Sequence, residues 1–413
     1  MPHLMSHLRN RDLTPTPGIT EDDVTPSHST PARRTNSLPL FVAMFCGAIL
    51  AITFTGCGSS YSKTAITIPT GQNGKPSLWV ANGTNVVEFG PTELSAQGST
   101  AAVPELVVNS SAFAAPQGVV FGAAGNLWVI DGGNKSTGGT AKPALYQFTS
   151  SNLAGIQAPI ISTPNVTINS SAFVFPQQAV FDSKGDLWVS DNGANAIFEF
   201  TSSQLMASGA AVMPNITIKS NPTFTGALGI TFDSSGDLWV SNNGTTTIFG
   251  FSASSLPTSS GSVTLTPSIM LSDDGKQSIQ GSWALAFDSS GNLWSSNANA
   301  PNTVVQFSKA SLTASGSPVP AITLSSTSVG GNVSLNAPNG IAFDNSGNLA
   351  VVSSATPFGV ALFGSSQLSA SGPIAPNGLL VGDVTTLSAP AGCTFGPTIT
   401  YGSSGIYTGT MSY

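Results

Sequence analysis

A six-residue motif returns along this chain at intervals of 49 to 60 residues, and no other feature limits the possible folds as strongly. SLWVAN holds Trp79, NLWVID holds Trp128, DLWVSD holds Trp188, DLWVSN holds Trp239 and NLWSSN holds Trp294. A worn copy, NLAVVS, has Ala350 at the Trp position, and SGIYTG places Tyr407 as a faint seventh echo. A period of this length means one supersecondary unit that buries its apolar faces only against copies of itself. Each unit holds four apolar runs. The first is short and ends in Phe (Phe121, Phe181, Phe232, Phe287, Phe343), and the Trp motif follows it as the second. The third also ends in Phe (Phe89, Phe148, Phe200, Phe251, Phe307, Phe363), and the fourth follows a Pro. Runs of four to six β-branched and aromatic residues bounded by Gly, Asn, Asp and Ser read as strands.

The linkers support the same reading. Phe-Asp-Ser-x-Gly-Asp/Asn joins the first run to the Trp motif, where Asp bonds the backbone ahead and Gly takes positive φ. Asp182, Asp233, Asp288 and Asp344 are therefore expected to be turn residues. SSQLMASG, KASLTASG and SSQLSASG lie between the third and fourth runs and read as short connections anchored by Leu205, Leu312 and Leu368. Four antiparallel strands at this period make an all-β fold, a single β-propeller. In a blade covered on both faces, Leu187 and Val189 face one neighbour and Trp188 the other. Five units are complete between residues 116 and about 381. The piece at 78–108 lacks a first run, and GCTFG (Phe395) supplies it, so closure by the C-terminal strand predicts six blades. Seven blades, with TAITI (64–68) as an extra strand, is the alternative.

Composition narrows the function. Charged residues are only 8 % of the chain, yet 40 % is apolar, which argues against disorder. All four Arg and all three His precede residue 35; from Gly58 onward there are eight Lys, fifteen carboxylates, no Arg and no His. That excludes a nucleic-acid binder with a basic stripe, bidentate Arg clamps, and histidine as base or ligand.

Arg33-Arg34 precede the apolar run Leu38–Phe54, which ends in Thr55-Gly56-Cys57. A basic flank, an apolar core and small residues before a cut describe an export signal. A Cys directly after them resembles the lipobox of bacterial lipoproteins, with Phe54 where Leu is usual. The resemblance implies a diacylated Cys57, a signal over 1–57, a linker over 58–75 and a propeller over 76–413. It also implies an extracytoplasmic address on an outer membrane or cell surface. Cys57 and Cys393 are the mature cysteines, and Cys393 reads as a small buried hydrophobe.

PQQAVFDSKGDLWVSDNGANAIFEF, residues 176–200, resembles an NHL-type repeat. NHL repeats usually carry Arg before the Ile, where this chain has Ala196 or Thr247, so recognition through that basic residue is not expected. The repeat is also similar to the regucalcin/gluconolactonase propellers, which the resemblance implies would hold a divalent metal on Glu, Asn and Asp. No Glu stands at the first-strand positions here. Streptogramin lyases look alike too, but their chemistry uses a His that the mature chain lacks.

Two candidate sites emerge. The aligned ends of the Trp motif are Asn82, Asp131, Asp191, Asn242, Asn297 and Ser353, a polar ring expected at one channel mouth. Asp131, Asp191 and Asn242 offer oxygens suited to Ca²⁺ or another divalent cation, and Asx capping of loop backbone explains the same residues without a ligand. Trp283 is the one Trp outside the motif. Its aligned equivalents are Gln117, Gln177, Leu228, Asn339 and Ala391, and an aromatic there can stack on a sugar or flat ligand. The loop Asp273-Asp274-Gly275-Lys276 reads as a solvated turn. The leading expectation is a binding or scaffolding propeller for an envelope protein, glycan or small molecule. A metal-dependent lactonase-like hydrolase is the alternative.

Overall fold

A computed structural model of the chain describes residues 76–134, 140–154, 160–382 and 387–397. The signal run, Cys57, the TAITI stretch and Tyr407 lie outside the described residues. No helix among the described residues is long and apolar enough to cross a membrane.

The strands form six antiparallel four-stranded sheets, one per repeat, arranged as a β-propeller. Blade 2 is typical: Pro116–Phe121 is innermost, followed outward by Leu127–Asp131, Ala144–Phe148 and Val166–Asn169. Blades 3 to 6 begin at Pro176–Phe181, Ala227–Phe232, Ser282–Phe287 and Pro338–Phe343. Blade 1 is assembled from both ends of the chain. Its second strand, Ser77–Asn82, pairs with the C-terminal strand Pro390–Gly396, which takes the innermost place. This is the six-bladed closure expected from the sequence, and it leaves no open innermost edge.

Six apolar clusters fill the six interfaces. The motif Trp packs against the Leu and Val of the next blade: Trp128 against Leu187 and Val189, Trp188 against Leu238 and Val240, Trp294 against Leu349 and Val351, while Trp239 meets Leu293 alone because Ser295 stands at the Val position. Ala350 replaces Trp at the last interface, facing Leu78 and Val80. Four indoles also meet the terminal Phe of the next innermost strand, for example Trp294 and Phe343 with ring centroids 5.7 Å apart.

The hairpin turns hold three of these indoles in place, and the Trp79 indole N–H donates instead to the Pro397 carbonyl at 3.2 Å. Asp182 Oδ1 accepts the backbone N–H of Lys184 and Asp186 at 2.8 and 3.0 Å, while Gly185 takes φ +80°. Its Oδ2 accepts the Trp188 indole N–H at 3.1 Å. Asp233 with Trp239 and Asp288 with Trp294 repeat the arrangement. The turn aspartates therefore do two jobs, one local and one at the blade interface.

Each connection between the third and fourth strands reaches back and pairs in parallel with the outer strand of the preceding blade. Gly98–Ala101, Ile160–Ile161 and Gly261–Leu265 do so as short strands. In blades 3, 5 and 6 a single Gly makes the bridge: Gly209 to Ile168, Gly316 to Leu271, Gly372 to Leu324. The Ser before each Gly accepts one more backbone N–H, as Ser315 does from Met270 at 3.0 Å. The Ser-Gly of the SSQLMASG-type segments is thus an edge clip. It satisfies outer-strand donors and acceptors that would otherwise recruit another chain.

Candidate functional site

The expected polar ring is assembled at one end of the propeller. Asp131, Asp191, Asn242, Asn297, Ser353 and Asn82 each pair with the first residue of the innermost strand in their own blade. All six are buried, with at most 1 % of each exposed. Their side-chain oxygens turn to the loop that leads into the innermost strand. Asp131 accepts the backbone N–H of Ala114, Ala115 and Gly133, the shortest bond at 2.7 Å. Asp191 accepts those of Val174, Phe175 and Ala194 at 2.8–2.9 Å. Asn242 accepts from Thr225 at 2.6 Å, Asn297 from Gln280 at 3.1 Å, Asn82 from Ser388 at 2.7 Å and Ser353 Oγ from Asn336 at 3.1 Å. Burial pushes the Asp131 and Asp191 carboxyls up, against the backbone amides that pull them down. Beside Asp131, the Tyr146 hydroxyl is pushed up to about 12 by burial and then by the Asp131 charge.

Trp283 stands one level further in. Each innermost strand carries a bulge directly after its first residue, where the register against the second strand shifts. The residues at the bulge are Gln117, Gln177, Leu228, Trp283, Asn339 and Ala391, the set aligned from the sequence. A bulge re-aims a side chain that regular pairing would send into the sheet packing. Neighbouring bulges touch around the ring. A Cβ added to Gly118 would lie 2.6 Å from the Gln177 carbonyl, one on Gly229 2.8 Å from that of Trp283, and one on Gly340 2.6 Å from that of Ala391. Ser296 Oγ donates to the Asn339 carbonyl of the next blade at 2.8 Å and accepts the N–H of Ala284 in its own at 3.0 Å. Trp283 is half-buried, whereas the five motif Trp are 0–3 % exposed.

Two members of this ring hold buried polar atoms without partners: Gln177 Nε2 and Asn339 Oδ1. Gln177 is 1 % and Asn339 6 % exposed. Sequence reasoning placed both in the Trp283 column without singling them out; the signal was an amide where blades 1 and 4 carry Ala391 and Leu228. The charged loop is a self-bonded turn, as expected. Asp273 accepts N–H groups of Gly275 at 2.7 Å and Ile279 at 2.9 Å, and Asp274 accepts that of Lys276 at 2.9 Å.

The one described group of three acidic side chains with oxygens within 4.8 Å of one another is elsewhere, at the hairpin turn of blade 3: Asp182, Asp186 and Glu199. Asp182 Oδ2 accepts the Trp188 indole N–H, Asp186 Oδ1 the N–H of Ser202 at 2.7 Å, and Glu199 Oε2 that of Asn215 Nδ2 at 2.8 Å. Glu199 is raised chiefly by burial, then by Asp186 and Asp182, against the Asn215 hydrogen bond. In blade 5 the matching positions are Asp288, Asn292 and Gln306, where both amides donate to the single carboxylate.

No family model and no curated protein matches the chain. Solved structures do. A Bacteroides caccae protein of unknown function is 10 % identical at a TM-score of 0.50, over 78 % of this chain and 99 % of its own. A Bacteroides fragilis protein provisionally described as a 6-phosphogluconolactonase is 14 % identical at 0.46, over 79 % and 99 %. Virginiamycin B lyase from Staphylococcus aureus is 16 % identical at 0.39, over 67 % and 73 %. At 10 % identity the first of these likenesses speaks to the fold alone.

Proposed function

We propose that this chain is an extracytoplasmic propeller, anchored through lipid on Cys57, that binds a ligand or envelope partner at the mouth bearing Trp283. The observation that carries this reading is the uncharged bulge ring. Six rigid strands place amides, an indole and apolar side chains there, with Gln117 and Trp283 half-buried, while the ring carboxylates Asp131 and Asp191 are occupied by backbone amides. From Gly58 onward the chain has no histidine to serve as a base. The lactonase-like alternative calls for a divalent cation on Asp131, Asp191 and Asn242, whose oxygens instead hold the loops of three successive blades. The address rests on the basic flank, the apolar run and Cys57.

Two experiments test this. Labelled palmitate should enter the full chain and fail to enter the Cys57→Ser variant. In thermal unfolding with EDTA and then excess Ca²⁺, the binding reading predicts no shift. A cation held at a hundredfold its dissociation constant would add about 2.7 kcal/mol. A calcium-specific rise abolished by Asp191→Ala would replace the binding reading with the hydrolase.

A further inference from the structure

We propose that Gly261–Leu265, the strand clipped to the outside of blade 3, is a self-pairing edge that joins two copies of this chain about a two-fold axis. This edge is independent of the mouth bearing Trp283. The strand belongs to the connection in blade 4 and runs parallel to Ile216–Ser220, the fourth strand of blade 3. Gly261 N–H donates to the Asn215 carbonyl and Asn221 N–H to the Leu265 carbonyl, both at 2.8 Å. Backbone direction alternates along a strand, so Gly261, Val263 and Leu265 turn their backbone groups to blade 3. Ser262 and Thr264 turn theirs away from it. Both are exposed, and neither backbone is hydrogen-bonded to a described residue on that side.

The other outer clips, among the described residues, leave no comparable edge. Three are single Gly bridges, and Ile160–Ile161 is two residues long. Gly98–Ala101 is covered at Ser99: Asn332 Nδ2 donates to Ser99 Oγ at 3.1 Å, and a Cβ on Gly330 would lie 2.8 Å from Ser99 Cβ. Free edges are usually guarded by a charge, a Pro or a bulge. Gly261–Leu265 has none of the three, and residues 238–272 contain no charged side chain.

The occupant is a second copy because the strand is complementary to itself. Antiparallel pairing about an axis at Val263 sets Ser262 opposite the partner's Thr264, and Thr264 opposite the partner's Ser262. Each of these pairs exchanges N–H···O=C bonds in both directions, and no outward donor or acceptor is left over. The same register lays Leu265 over the partner's Gly261, where there is room: a Cβ added at Gly261 meets nothing within 4 Å. Val263 meets the partner's Val263 on the axis. Val263 and Leu265 are half-buried against the Trp188 cluster, so the joined sheets continue one apolar face. Two uncharged edges approach without repulsion, whereas a charged peptide finds no counter-charge there. A contact of this symmetry closes at two chains. So short an edge falls below the roughly 1,200 Å² of a standard interface, and the dimer should dissociate reversibly, on the order of 100 µM.

The test is sedimentation equilibrium of the full chain in density-matched detergent, from about 10 to about 500 µM, a range set to bracket that value. The mass should rise from one chain toward two. Ser262→Lys with Thr264→Lys puts like charges opposite one another and should weaken the dimer about tenfold or more, as should Ser262→Glu with Thr264→Glu. An equal mixture of the two variants should restore it, which a folding defect cannot do. All four substitutions are at exposed positions and should leave the melting temperature within about 2 °C of the parent. Val263→Cys should form an intermolecular disulfide on mild oxidation, because facing residues of such a pair lie about 4.5 Å apart at Cα, within disulfide reach. Thr258→Cys, exposed in the loop before the strand, should not, and the parent with its own cysteines gives the background. A mass that stays at one chain, a dimer that both charge variants leave intact, a mixture that does not recover it, or growth past two chains would each overturn the pairing. A Val263→Cys disulfide formed within one chain would put another segment of this chain in the edge and overturn it too.

Discussion

Replacing Asp288 by Ala should destabilise the propeller by about 3–5 kcal/mol, against about 1 kcal/mol for Asp344→Ala. The two residues occupy the same turn in blades 5 and 6 but hold different things. Asp344 accepts the backbone N–H of Ser346 and Asn348 and the Asn348 amide, each at 2.8 Å and near solvent. Water replaces most of what is lost there. Asp288 accepts the matching turn donors, and also the Trp294 indole N–H at 2.9 Å and Gln306 Nε2 at 3.2 Å. Trp294 is 1 % and Gln306 7 % exposed, so both donors would be stranded away from water. Each stranded donor costs roughly 1–3 kcal/mol, on top of the turn. Urea denaturation at neutral pH, followed by tryptophan emission and far-UV dichroism, gives the two values. Equal losses within about 0.5 kcal/mol would refute the claim that the turn aspartates secure the blade interface. Acid supplies a second check. Although burial raises it, the Asp288 carboxyl is held below its ordinary value of 3.8 by Trp294, Asn292 and the turn amides. Its contribution is therefore full above that value and is lost as pH falls through the lowered one. The gap between parent and Asp288→Ala should narrow from about pH 5 to about pH 3.

Gly340→Ala should cost about 1–3 kcal/mol in urea denaturation, since its Cβ would lie 2.6 Å from the Ala391 carbonyl. Gly316→Ala opens onto free space and should stay within about 0.5 kcal/mol of the parent. In alkaline titration read at the phenolate absorption band, Tyr146 should ionise late, near its raised value of about 12, and Tyr146→Phe should remove that late phase. Normal ionisation of Tyr146 would mean that it is not enclosed beside Asp131.

Most of the architecture was legible because each repeat states it again. The Trp motif, the Phe-terminated runs and the Asp-x-x-Gly turns gave strand order, and the unpaired first unit with GCTFG at the far end gave closure. The edge clips were less legible. GSTA at 98–101 has no apolar pattern, because its role is backbone pairing with another blade, and in GSVTL at 261–265 only Val263 and Leu265 pack against the Trp188 cluster beside the same kind of pairing. The Asp-to-indole bond was hidden in plain spacing: Asp182, Asp233 and Asp288 each precede their Trp by six residues, and Asp344 stands where Ala350 has replaced it. At the candidate site the alignment column was readable, but the bulge that sets it apart was not. A register shift arises from backbone pairing, and an orphaned amide shows only when its surroundings are known.

The most direct measurement is oxidation of the native chain by limiting N-bromosuccinimide, with each Trp followed by peptide mass spectrometry. Trp283 should react first, while Trp79, Trp128, Trp188, Trp239 and Trp294, all 0–3 % exposed, should stay intact until the ring unfolds. Comparable reaction at the motif Trp would contradict the wedged blade interfaces, and a protected Trp283 would contradict the partial exposure of Trp283 on which the binding proposal depends.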